Sequence, residues 1–216
     1  MDGLERFRSV NPVVMMDPLL ETLGVSSEGV LTYEYKDMLK LAGHSCPTVA
    51  GVFLMVREAL ARLYPDSIPV RGEIAVWIRG RLGEGTVGVV ANVASMITGA
   101  ADIGGFQGLN GMYDRRGLLH FDAQMSDDMV FERLDTRKKI GVRYNPAMVS
   151  ADPRTFEWMK KITNNSANEE ERRAFGEAWQ DRVWKILTSY ADYPGLLEFH
   201  DNDLNPVLSN TIKETV

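Results

Sequence analysis

Gly43-His44-Ser45-Cys46-Pro47 sets the chain's only cysteine two positions after one of its three histidines, directly before a long stretch with helical apolar spacing. Pro47 suits the first position of a helix, because its missing N–H is one that a helix could not satisfy. Cys46 then falls at or near the N-cap, where unpaired N–H groups and the positive end of the helix dipole favour an anion, a thiolate included. His44 is placed to serve as the neighbouring base of that thiolate, or as a fellow metal ligand. Plain packing is the alternative, since free cysteine is among the most buried residue types. As a metal motif the pair is incomplete: a four-coordinate zinc needs further ligands, for which His120, Asp102 and Asp122 are the candidates. Without a metal, Cys46 and His44 are the candidate nucleophile and general base.

A second feature is the run at residues 99–111, with five glycines in thirteen positions. Its spacing is not a dinucleotide fingerprint. Gly104, Gly105 and Gly108 are the candidates for bringing backbone N–H groups to a small ligand, and a tightly packed surface loop is the alternative. Near the end of the chain, His200 with Asp201 and Asp203 reads either as a metal site or as a solvated polar tail.

The elements that must hold these groups follow from periodicity. Tyr35, Met38, Leu39 and Leu41 predict a short helix broken at Gly43, and Val49, Val52, Phe53, Val56, Leu60 and Leu63 predict a longer one ended by Pro65. Ile74, Val76 and Ile78 alternate as a strand does, and Val89 to Ile97 form a small-residue helix stopped at Gly99. Leu118–Asp122, Met129–Leu134 and Lys139–Tyr144 read as strands, the last two joined by a turn at Asp135-Thr136-Arg137. Asp152 with Pro153 opens a helix whose stripe is Phe156, Met159 and Ile162. Ser166-x-x-Glu169 resembles a capping box for a last helix, striped by Phe175, Trp179, Val183, Ile186, Leu187 and Tyr190, which reads as core rather than as a cofactor cage. Without regular strand–helix alternation this order predicts an α+β fold: a core over residues 1–150 and a helical segment over 151–216 packed on it.

Composition narrows the function. At 216 residues and 44% hydrophobic, the chain is long enough for one sizeable core. A net charge of −6 argues against a nucleic-acid binder, and Arg137-Lys138-Lys139 reads as a solvated turn. No apolar run is long enough to span a membrane, and Met1–Arg6 lacks the pattern of a secretory signal, so the expected location is the cytoplasm. A lone cysteine agrees with a reducing compartment.

Gly43-His44-Ser45-Cys46-Pro47, the helix that follows it, and Ile97-Thr98-Gly99 continuing through Gly104-Gly105 and Gly108-Leu109 resemble the FmdE-like family of formylmethanofuran dehydrogenase components over roughly residues 33–125. The resemblance implies an α+β core, a homodimer, and a metal or active site at the histidine and cysteine. Where many relatives carry cysteines, this chain has Ala100 and Ala101. The expected function is thus a metal or thiolate site built from His44, Cys46, His120 and Asp102, with zinc as the divalent metal and an open position for a small molecule. The alternative is a non-catalytic accessory or scaffold protein that uses its helices for partner contacts.

Overall fold

The computed structural model describes residues 5–201 and the strand backbone at 207–208. In chain order the elements are β1 (Val13–Met16), α1 (Pro18–Thr22), β2 (Val30–Tyr33), α2 (Tyr35–Ala42), α3 (Pro47–Leu63), β3 (Ile74–Ile78), α4 (Val87–Thr98) and β4 (Leu119–His120). There follow β5 (Ala123–Gln124), β6 (Met129–Arg133), β7 (Lys139–Tyr144), α5 (Thr155–Thr163), α6 (Glu169–Thr188), β8 (Leu197–Asp201) and β9 (Val207–Leu208). The fold is α+β. Its main sheet has the order β4-β3-β6-β7-β8, antiparallel except for the β3–β4 pair, while β1–β2 and β5–β9 form separate two-stranded ribbons.

Strand register explains how the sheet is used. Ile74, Val76 and Ile78 of β3 stand opposite Arg133, Phe131 and Met129 of β6, and Phe131 and Met129 face Ile140 and Val142 of β7. Alternation sends these apolar side chains to one face, where α3 and α4 cover them. Trp77, Glu132, Lys139, Arg143 and His200 fall on the other face.

α3 is the central element. Its stripe of Val49, Val52, Phe53, Val56, Leu60 and Leu63 is buried as the spacing predicts, but Ala50, Gly51, Leu54 and Met55 are buried too. It lies between the sheet, α4 and α6. α4 ends at Gly99, whose φ of 75° is left-handed, as the sequence implies. Val183, Ile186 and Leu187 of α6 join the same hydrophobic core, so the helical segment is packed on residues 1–150.

Four local expectations change. The strand expected over Leu118–Asp122 pairs only at Leu119–His120, because Asp122 turns into the left-handed region at φ 55°. α5 starts at Thr155, because Asp152 closes a turn first: its Oδ1 accepts from Arg154 N (2.8 Å) and its carbonyl from Thr155 N (2.9 Å). The helix therefore turns Thr155 and Trp158 inward and leaves Phe156 80% exposed. The capping box of α6 is Asn168 with Glu171, while Ser166 Oγ donates back to Lys161 O. The tail after Pro194 is not simply solvated, since Leu197–Asp201 pairs with β7 as an edge strand. There His200 turns to Asp127, Nδ1 to Oδ1 2.6 Å, with Asp127 fully buried; Asp203 lies outside the described residues.

A buried ion cluster ties the periphery together. Asp17 caps α1 by accepting from Leu19 N, and it also takes Arg115 Nη2 at 2.7 Å and Arg71 Nη1 at 3.0 Å. Arg71 reaches on to Met96 O near the end of α4. Asp17 is 3% exposed and Arg115 5%. Gly72, at φ +86°, is required here, because a Cβ on it would lie 1.6 Å from Arg115 Nη1.

Two guanidinium groups share one carboxylate in this cluster, so Asp17→Asn leaves both without a full counter-charge. Breaking a buried pair from one side costs about 3–5 kcal/mol. Urea unfolding of Asp17→Asn should show a loss of that order, and a loss under about 1 kcal/mol would contradict a structural role for the cluster.

Candidate functional site

The start of α3 is built from three sides. Gly43, left-handed at φ 73°, ends α2 and lets the chain reverse. Cys46 takes the N-cap in extended conformation, Pro47 the first helical position, and Sγ accepts from Val49 N at 3.5 Å. The thiol is half-buried against the core. Ser45 before it is fixed from α6, where Trp179 Nε1 (2.9 Å) and Gln180 Nε2 (3.3 Å) both donate to its carbonyl, and its hydroxyl meets the Tyr35 hydroxyl at 3.1 Å. From the end of β7, the Tyr144 hydroxyl donates to Pro47 O at 2.8 Å.

Gly51 explains the placement of Tyr144. A Cβ at Gly51 would lie 2.2 Å from Tyr144 Cε1, so the ring lies directly on the helix backbone. Both phenols titrate above their ordinary value. For Tyr35 the main cause is burial, with the nearby Cys46 adding to it and the Ser45 bond opposing it. For Tyr144 burial again dominates, opposed by Arg182 and assisted by Cys46 and Tyr35. Cys46 is thus flanked by neutral phenols, which are hydrogen-bond donors rather than bases.

Beside this corner lies a cavity of about 320 Å³, between the starts of α3 and α4 and the end of β3. Val52, Met55, Ile78, Val87, Val90 and Met129 give it aliphatic walls. Thr48, Thr86, Tyr144 and the ion pair Arg79–Asp128 supply its polar part. Asp128 is itself fixed, accepting from Tyr144 N at 2.8 Å. Tyr144 therefore belongs both to the cavity wall and to the Cys46 corner.

The other candidate residues lie elsewhere. His44 is exposed, and its Nδ1 meets Ala42 O at 2.9 Å, so the ring turns back toward the end of α2. His120 stacks on Trp77, with centroids 4.9 Å apart, on the opposite face of the sheet from α3. Asp102 and Glu132 lie within electrostatic reach of it. Asp122 pairs loosely with Arg81 at 3.8 Å. Gly105 and Gly108 fold the 99–111 loop on itself: a Cβ would meet Ala101 Cβ at 2.6 Å in the first case and Met112 O at 2.2 Å in the second. Gly104 has open space around its Cα. None of the three lines the cavity.

A zinc site requires ligands converging at about 2.0–2.3 Å. Among the described residues no group of three or more His, Cys, Asp or Glu side chains is placed to hold a metal ion. The four residues expected to share zinc do not assemble its ligand set here.

The roles of Arg79, Tyr144, Trp179 and Gln180 at this corner and cavity escape the sequence, where Trp179 reads as core and Tyr144 as the end of a strand. The one trace is of Tyr144 alone: Gly51, a glycine inside an otherwise apolar helix, signals the close approach of another group. Comparisons with protein-family models and with curated proteins returned no match to this chain. Among the described residues no helix is long and apolar enough to cross a membrane.

His120 gives a pH prediction. Burial lowers its pKa below 6.5, opposed by the charges of Asp102 and Glu132. Below 6.5 the unfolded chain therefore holds more protons on this residue than the folded one, and its contribution to stability falls as pH drops through that window. An NMR titration should place the His120 midpoint under 6.5, and a midpoint above it would contradict the packing described.

Proposed function

We propose that the chain is a small-molecule-binding protein of the FmdE-like kind, working in the cytoplasm, with its functional centre at the start of α3. One observation carries the reading. A half-buried thiol at a helix N-cap stands beside a cavity of ligand size, with Tyr144 common to both. Pockets of about 300–1,000 Å³ with apolar walls and few polar groups are the usual form of small-molecule sites. The lone cysteine suits a reducing compartment.

In this reading Cys46 is the reactive group. It sits where the first-turn amides of α3 favour negative charge, and Val49 N–H already points at the sulfur. His44 is not assigned as its base, since the ring is engaged with Ala42 O. Zinc enters no step in this reading, because among the described residues no ligand set for it converges.

The test is thiol accessibility together with metal content. Iodoacetamide should modify Cys46 in the folded protein at a rate within about a factor of ten of that in urea. A thiol silent until unfolding would overturn the proposal. Wild-type and Cys46→Ser protein should carry equal, negligible zinc, and stoichiometric zinc lost on substitution would restore the metal site.

A second reading, an accessory protein, has one observation in its favour. α3 and α4 cover a single face of the main sheet and leave Trp77, Lys139 and Arg143 on the other. A silent thiol combined with a concentration-dependent homodimer in light scattering would favour it.

A further inference from the structure

We infer that the cavity between α3 and α4 takes a small aliphatic carboxylic acid, its hydrocarbon chain inside and its carboxylate on Arg79. The inference rests on the cavity being the ligand site and adds the class of ligand.

The walls decide the first half. Val52 and Met55 come from α3, Ile78 from β3, Val87 and Val90 from α4, and Met129 from β6, so the interior is made of branched or flexible alkyl groups. A polar molecule placed there would lose its water contacts and regain few partners, whereas an alkyl chain gains both burial and dispersion contacts. The one aromatic group in the wall, Tyr144, has its hydroxyl committed to Pro47 O.

The mouth decides the second half. Arg79 is half-exposed, and among the described residues its guanidinium bonds only to Asp128, through Nη2. Its remaining N–H groups keep the fork geometry that matches a carboxylate. Asp128 is already engaged on both oxygens, Oδ1 by Arg79 and Oδ2 by Tyr144 N. Arg79 is thus a held cation with unused donors at the open end of an aliphatic space. Thr86, the N-cap of α4, makes no side-chain cap bond and lines the same cavity, so the start of α4 adds a positive helix end to its wall.

The experiment is calorimetric titration of the intact chain with hexanoate and, separately, with hexanol, which has the same chain and no charge. Hexanoate should bind saturably and at least about tenfold more tightly than hexanol. Arg79→Gln should weaken hexanoate to the level of hexanol and leave hexanol unchanged. Val90→Trp, which fills the cavity, should weaken both by about tenfold or more. If that variant does not fold, Arg79→Gln and the acid–alcohol comparison still decide. Absence of saturable hexanoate binding, equal affinity for acid and alcohol, or an Arg79→Gln variant that binds like wild type would overturn the inference. None of these results depends on Cys46, so a reactive thiol with no hexanoate binding would remove the ligand class alone.

Discussion

A helix that enters the core within its first turn must have that turn's backbone satisfied largely from within the protein, and α3, buried at every residue from 49 to 56, is such a helix. The arrangement around residues 43–51 follows from that constraint. Pro47 removes one N–H that would need a partner, and Cys46 Sγ takes another, from Val49. The backbone carbonyls next to them are also claimed: Ser45 O by Trp179 and Gln180, Pro47 O by Tyr144. The bonds that position the thiol are thus those that let a hydrophobic helix begin inside the fold. They join α6 and β7, distant in sequence, to one short loop.

The same economy appears at the other end of the core. Asp17 holds Arg71 and Arg115 at a junction of α1, the segment before β3, and the loop after α4. Gly72 and Gly99 leave room for the guanidinium groups: at Gly99 a Cβ would lie 3.0 Å from Arg115 Nη1. The glycines of the 99–111 loop serve a related purpose, closing the chain over Ala101 and Met112. A glycine-dense segment that reads from sequence as a ligand cradle is, at Gly105 and Gly108, a means of packing backbone against backbone.

Residues 43–63 show how far sequence alone carries. Pro47 and the apolar spacing from Val49 to Leu63 place the helix and make Cys46 its cap, because those signals are local. The α+β class follows in the same way from the order of elements. What holds Cys46 is barely legible, since Trp179 and Tyr144 reach the carbonyls on either side of it across more than ninety residues, and Gly51 alone marks the approach of one of them, Tyr144. His44 reads as a partner of Cys46 by proximity in sequence, yet a left-handed turn at Gly43 and a bond to Ala42 O set its ring elsewhere. The edge strand at Leu197–Asp201 is hidden by its charge and its short alternation. Phe156 misleads for a simpler reason: the helix begins two residues later than Pro153 suggests, which rotates the inward face onto Thr155 and Trp158.

The central claim is that the thiol corner and the aliphatic cavity form one site joined through Tyr144. It is tested most directly by attaching a trifluoromethyl label to Cys46 and recording its fluorine spectrum before and after Val90→Trp. If the two regions are contiguous, the indole set into the cavity wall must move the fluorine resonance. A resonance unchanged by that substitution, in a variant with unaltered circular dichroism, would show that the thiol and the cavity are separate features of the fold.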